Sequence, residues 1–187
     1  MSIRNDFLMV QQTLVWDIKT GEPLYNAIAW PDTRTAALVR EYKKKPGYDK
    51  HMEICGLPLS TYPSVIKLVW ALKNVDAVKK AYDAGTLAFG TTDTWLLYKL
   101  SGGKDGGVFV TDSTNASRTY LMDLHTLQYS DEILKFFDLD RAKLNLPEIV
   151  PSASATKFGT LSQGELAGWK ITGVLGMYCR FSPCIKS

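Results

Sequence analysis

Proline and glycine punctuate this chain closely as far as Gly107 and mark the ends of its elements there. Pro46-Gly47, Gly56, Pro58, Pro63, Gly85, Gly90 and the Ser101–Gly107 loop cut its first half into short segments. Proline removes a backbone donor and fixes φ, and glycine favours turns and helix ends, so each interruption closes one element and opens another. No window approaches the length of a membrane span. The 187 residues, 45% of them hydrophobic, suit one domain able to bury a real core.

Between the interruptions, short apolar runs alternate with helical spacing. Thr13–Asp17 reads as a strand, the KTGEP segment as a hairpin turn, and Leu24–Trp30 as the second strand of the hairpin. Asp32-Thr33 caps a helix running to Arg40–Tyr42, and a short helix over Lys50–Cys55 stops at Gly56. The LPLSTYP segment is extended because Pro58 and Pro63 disfavour helix around them. Ser64 then caps a helix with Val65, Leu68, Val69 and Leu72 at helical spacing, followed by a helix over Val75–Ala84. FGTTDTWLLYKL reads as a glycine hinge opening into a helix with Trp95, Leu96 and Leu100 inward. Further on come a strand over Val108–Thr111, a polar turn over Asp112–Thr119, and a helix capped by Ser130 or Asp131 that runs to Phe137. An extended stretch follows from Leu146 to Pro151.

Charge and cysteine content exclude several function classes. The net charge of +3 arises from 22 basic and 19 acidic residues spread along the chain, which gives no basic face for nucleic acid. Lys43-Lys44-Lys45 reads as a solvated helix end. Cys55, Cys179 and Cys184 have neither metal-site spacing nor a disulfide framework, and MSIRNDFLMV has no sustained apolar run. A reducing, cytoplasmic setting is expected. His51 and His125 have no partner at a spacing that suggests a triad or a metal site, and no metal site is expected. Asp93, and Asp112 with Asn115, stand where capping and turn chemistry want such residues, and Arg118 braces the second turn.

Four blocks, TLVWDIKTGEPLYNAIAWPDTRT, GLPLSTYPSVIKLVWAL, FGTTDTWLLYKLSGG and VTDSTNASRTYLMDLHTL, follow one another in the order and spacing of the glycerol kinases, which the chain resembles from about Thr13 to Gly176. Tyr62 to Trp70, an aromatic followed by Ser, Lys and Trp at helical spacing, resembles the signature of the wider carbohydrate kinase family; Ala71 is smaller than the residue expected there. The resemblance implies an α/β fold: the ribonuclease-H-like, actin/hexokinase-like N-terminal domain of a carbohydrate kinase, here incomplete. It divides the chain into a divergent N-terminus (1–12), a partial kinase domain (13–176) and a divergent tail (177–187).

The same resemblance implies ATP-dependent phosphorylation of glycerol to glycerol 3-phosphate, with ATP and Mg²⁺ as cofactors. It assigns substrate binding to Trp30, as an apolar wall for the carbon backbone, and to Tyr62, as a phenol offered to a hydroxyl. From the residues alone both read better as core aromatics; the family register reverses that preference. Other family positions are not kept. The Arg-Glu pair expected before the first strand falls on Val10 and Gln11, the proton-accepting Asp expected after Gly176 falls on Met177, and the phosphate loop is missing. Glycerol binding is therefore expected to be weak or lost, ATP and Mg²⁺ are not expected to be bound by this chain alone, and the chain is expected to be inactive alone. The alternatives are a regulatory module that associates with a full-length kinase through exposed strand edges, and a kinase of another polyol or ketose. A homo-oligomer is possible by family.

Overall fold

The computed structural model describes residues 8–9 and 12–176. In chain order its elements are β1 (Leu8–Met9), β2 (Gln12–Asp17), β3 (Ile28–Ala29), α1 (Ala36–Tyr42), α2 (His51–Cys55), α3 (Ser64–Asn74), α4 (Asp76–Asp83), β4 (Leu87–Gly90), α5 (Thr92–Leu100), β5 (Val110–Asp112), α6 (Ser113–Ala116), α7 (Asp131–Phe136), β6 (Leu144–Asn145), β7 (Glu148–Val150) and β8 (Leu175–Gly176). The main sheet has the order β3-β2-β4-β6, with β2 antiparallel to both β3 and β4, and β4 parallel to β6. Two parallel pairs, β5-β7 and β1-β8, complete the strands.

Helices cover both faces of the sheet, and strand alternation decides which residue meets which layer. Val15, Leu87, Phe89 and Leu144 join the large core formed with α3, α4 and α7. Trp16 and Ala88, paired across β2 and β4, point the other way and meet Tyr98 of α5, with Trp95 and Phe109 at the margin. Trp16 is the centre of that layer, 5.1 Å from Trp95 and 5.6 Å from Phe109, both edge-on. This double coverage explains β4, whose four residues are all buried. A strand covered on both faces shows no polar alternation, so Leu87–Gly90 looks in the sequence like a lead-in to the following helix.

Several expectations change in detail. The second hairpin strand is confined to Ile28–Ala29, with a single bridge from Pro23 to Trp16. Leu24 and Tyr25 both turn towards the large core, which two consecutive residues of a regular strand cannot do. On α5 the inward residues are Asp93, Thr94, Leu97 and Tyr98, while Leu100 is exposed and Trp95 and Leu96 are half-buried, so the apolar stripe lies on a different side from the one expected. The helix after Asp32-Thr33 begins only at Ala36, with Thr35 at the capping position and no side-chain cap, while the Asp32 carboxylate accepts from the Arg34 backbone N–H and guanidinium. Pro63, not Ser64, occupies the capping position of α3, and Ser64 is its first residue. The expected polar turn over Asp112–Thr119 is folded into α6 and a 3₁₀ turn, and Ser130 caps α7 by accepting from the Ile133 N–H. No described helix is long and apolar enough to cross a membrane.

His51 lies inside the large core. Its ring meets Phe136 edge-on at 4.3 Å, its Nδ1 has no hydrogen-bond partner among the described residues, and burial holds its pKa below the ordinary histidine value against the opposing fields of Glu132 and Asp49. A depressed folded-state pKa means that the unfolded chain takes up the proton first, so the penalty is absent above about pH 6.5 and grows as pH falls below it. His51→Leu should therefore lose less thermal stability than the natural chain between about pH 7 and pH 5. Equal slopes of Tm against pH would contradict this.

Candidate functional site

The two aromatic residues singled out by the sequence meet in space. Trp30 follows directly on β3, and Tyr62 sits in the extended segment between Gly56 and α3. Gly56 ends α2 with φ 70°, a left-handed conformation that glycine adopts without strain, and so turns the chain into that segment. The Trp30 and Tyr62 ring centroids are 6.2 Å apart with an interplanar angle of 68°, an edge-to-face contact. Trp30 remains 38% exposed and Tyr62 is half-buried, so neither is a sealed core residue.

Beneath this pair stands Lys67 on α3. The residue is 1% exposed, and its Nζ donates to the carbonyl oxygens of Thr61 (2.6 Å), Tyr62 (3.0 Å) and Trp30 (3.3 Å). Burial lowers the ammonium pKa to about 8, with Asp32 opposing the shift and Arg34 adding to it. The three carbonyls use all three N–H bonds of the charged amine.

The chain beyond Trp30 is braced by a second group. The Arg34 guanidinium grips both Asp32 carboxylate oxygens at 2.7–3.0 Å, donates to the Tyr25 hydroxyl at 3.2 Å, and lies 4.7 Å from the Trp70 ring centroid. Hydrogen bonds from Arg34 hold the Asp32 carboxyl below its ordinary pKa. Such a planar fork over an aromatic face is a geometry that lysine cannot copy. In the sequence, the Asp-x-Arg spacing of Asp32 and Arg34 is the only trace of it.

Asp93 and Asp112 form a separate buried network of carboxylates and hydroxyls. Asp93 is fully buried and accepts from the hydroxyls of Thr91 and Thr111; burial raises its pKa to about 6, although those two hydrogen bonds work against the shift. Asp112 caps α6 through the N–H groups of Thr114 and Asn115, and also accepts from the Asn115 amide, the Thr114 hydroxyl and the Ser152 hydroxyl. The Gly176 N–H in turn donates to Thr114 Oγ1 at 2.8 Å, which ties β8 to this cluster. Asp112 is thus the capping residue expected, with Asn115 of α6 donating to it, and Asp93 stands in the buried first turn of α5, held by the hydroxyl of the capping residue Thr91. His125 is exposed, and Arg118 Nε donates to the Ser117 hydroxyl at 3.1 Å.

Residues 9–175 match the FGGY family of carbohydrate kinases, N-terminal domain. The chain belongs to this family. The glycerol kinases of Brucella anthropi and Clavibacter michiganensis subsp. michiganensis are each 50% identical to it, over 166 and 167 residues, which is 89% of this chain and 32% of theirs. The crystal structure of Plasmodium falciparum glycerol kinase with ADP superposes with a TM-score of 0.78 at 37% identity, covering 88% of this chain and 32% of that one. Gluconate kinase from Lactobacillus acidophilus shares the fold, with a TM-score of 0.68 at 22% identity over 92% of this chain and 33% of that one. The chain spans about a third of the length of the curated relatives it matches. Its architecture is the α/β, actin/hexokinase-like one of these kinases, of which it covers the N-terminal part.

Three family positions, Val10, Gln11 and Met177, lie outside the described residues. The described residues offer no ready carboxylate set for Mg²⁺: no three His, Cys, Asp or Glu side chains among them gather as metal ligands, and the two buried carboxylates, Asp93 and Asp112, are already occupied by hydroxyl and amide donors. Asp112 joins β5, α6 and the Ser152 segment, so Asp112→Ala should cost roughly 2–3 kcal/mol of unfolding free energy, where a lone helix cap is worth about 1. Urea denaturation checks this, and a loss of about 1 kcal/mol or less would mean that the network adds nothing to the cap.

Proposed function

We propose that this chain forms the acceptor-alcohol side of a glycerol kinase, with Trp30 and Tyr62 as the wall against which glycerol lies. The observation that carries this reading is the edge-to-face meeting of the two rings, 6.2 Å apart, at a place where Trp30 keeps a solvent-facing surface. A three-carbon polyol has an apolar C–H edge and three hydroxyls. The indole gives the C–H edge a flat contact, and the Tyr62 phenol both donates to and accepts from hydroxyls. The 50% identity to glycerol kinases supports glycerol over larger polyols as the substrate.

Phosphoryl transfer needs the acceptor held in line, a base for its proton, and neutralised phosphate charge. The described residues contribute to the first requirement. The donor, Mg²⁺-ATP by family, would be held by residues other than those described, among which no carboxylate set gathers for Mg²⁺. On this reading the kinase-like part is 13–176, the protein works in the cytoplasm, and the 187 residues alone bind glycerol weakly without turning it over.

Saturation-transfer NMR with glycerol tests the wall. Transfer to the glycerol C–H protons should be lost in Trp30→Ala, and Tyr62→Phe should weaken binding about tenfold, the value of one neutral hydrogen bond. Transfer that is unchanged in Trp30→Ala, or equally strong with gluconate or xylulose, would sink the proposal.

A further inference from the structure

Lysine is rarely buried, and an amine taken out of water must be repaid by hydrogen bonds. Lys67 receives that repayment from two segments far apart in sequence. Its Nζ holds the Trp30 carbonyl on one side and the Thr61 and Tyr62 carbonyls on the other, and so bridges the two segments beneath their ring contact. Two of those three carbonyls belong to the residues whose rings meet above it.

We infer that Lys67 is a positioning residue for the polyol wall, its ammonium setting the separation and tilt of Trp30 and Tyr62 by tethering their own backbone carbonyls. This rests on the proposed role of those two residues. The lysine does not reach the acceptor itself; it acts through the two chains that it joins. The length of the side chain places the amine where a shorter or apolar residue would leave three carbonyls without their donor. The neighbouring fork of Arg34 on Asp32 stiffens the chain beyond Trp30.

A pH dependence follows from the geometry. The neutral amine has two N–H bonds for three carbonyls, so one tether is lost on deprotonation. Burial puts that loss near pH 8, and the charged groups that face the amine are Asp32, which delays it, and Arg34, which advances it. The tether is complete below this pH and is weakened above it.

The test uses the 187-residue chain and reads ring contacts by NMR, with Lys67→Met as the variant. Nuclear Overhauser cross-peaks between the Trp30 and Tyr62 rings should vanish in Lys67→Met while those between Trp16 and Trp95, 5.1 Å apart, persist. Glycerol affinity should fall at least about tenfold in the same variant. Persistence of the Trp30–Tyr62 cross-peaks in a folded Lys67→Met variant would overturn the inference, as would unchanged glycerol affinity where Trp30→Ala abolishes binding. Should Lys67→Met fail to fold, the natural chain decides between about pH 6.5 and about pH 9. Cross-peaks that weaken with a midpoint near 8 support the tether, and constant ones overturn it. If the natural chain binds no glycerol while the cross-peaks respond as expected, the tether stands and the polyol role of the wall falls.

Discussion

A buried charged amine, carried by α3 and held by carbonyls outside it, is the constraint around which this part of the molecule is arranged. Val65, Ile66, Leu68, Val69 and Ala71 of the same helix are buried in the large core, which fixes the helix against β2 and leaves Lys67 no route to solvent. The ammonium must therefore find its acceptors inside, and it finds them in the backbone on either side of the candidate site. The apolar helix face supplies the rigidity, and the buried amine transmits it to Trp30 and Tyr62. On the role proposed for those two residues, one eleven-residue helix joins packing to substrate binding.

The sheet contributes in a different way. Because β2 and β4 are covered on both faces, Trp16 and Val15 anchor opposite layers, and β3, paired to β2 through Thr13↔Ile28 and Gln12↔Ala29, carries Trp30 out to the edge. The buried carboxylates Asp93 and Asp112 lie in another region, where they tie α5, β5 and α6 together and fasten Gly176. Their oxygens are saturated by hydroxyl and amide donors, and a carboxylate so engaged holds a fold together better than it accepts a proton from a substrate.

Much of this was legible in the residues. The helical spacing of Val65, Leu68 and Val69, the stop at Gly56, and the capping roles of Asp112 and Ser130 all follow from local chemistry, and the structure keeps them. Local chemistry failed where tertiary packing decides. Leu87–Gly90 is buried on both faces and shows no strand alternation, and α5 turns Tyr98 inward onto Trp16 and Phe109 and Leu97 inward onto Val110, Val150 and Phe158. The meeting of Trp30 with Tyr62 is a contact between residues that only the family register had placed together. Lys67 was visible as a lone lysine in the apolar stretch SVIKLVWAL, but its carbonyl partners are set by how the loops return, which no periodicity encodes. Ala71, smaller than the family pattern leads one to expect, is buried in the core all the same.

Calorimetric titration of the purified chain with glycerol, beside a parallel titration with Mg²⁺-ATP, bears most directly on the claim that these residues make up the acceptor side of a kinase cleft. Saturable heat with glycerol, at an affinity of about millimolar or weaker, and none with the nucleotide is the expected result. Saturable heat with Mg²⁺-ATP and none with glycerol would contradict it, since the chain would then carry the donor side and the wall of Trp30 and Tyr62 would face no substrate.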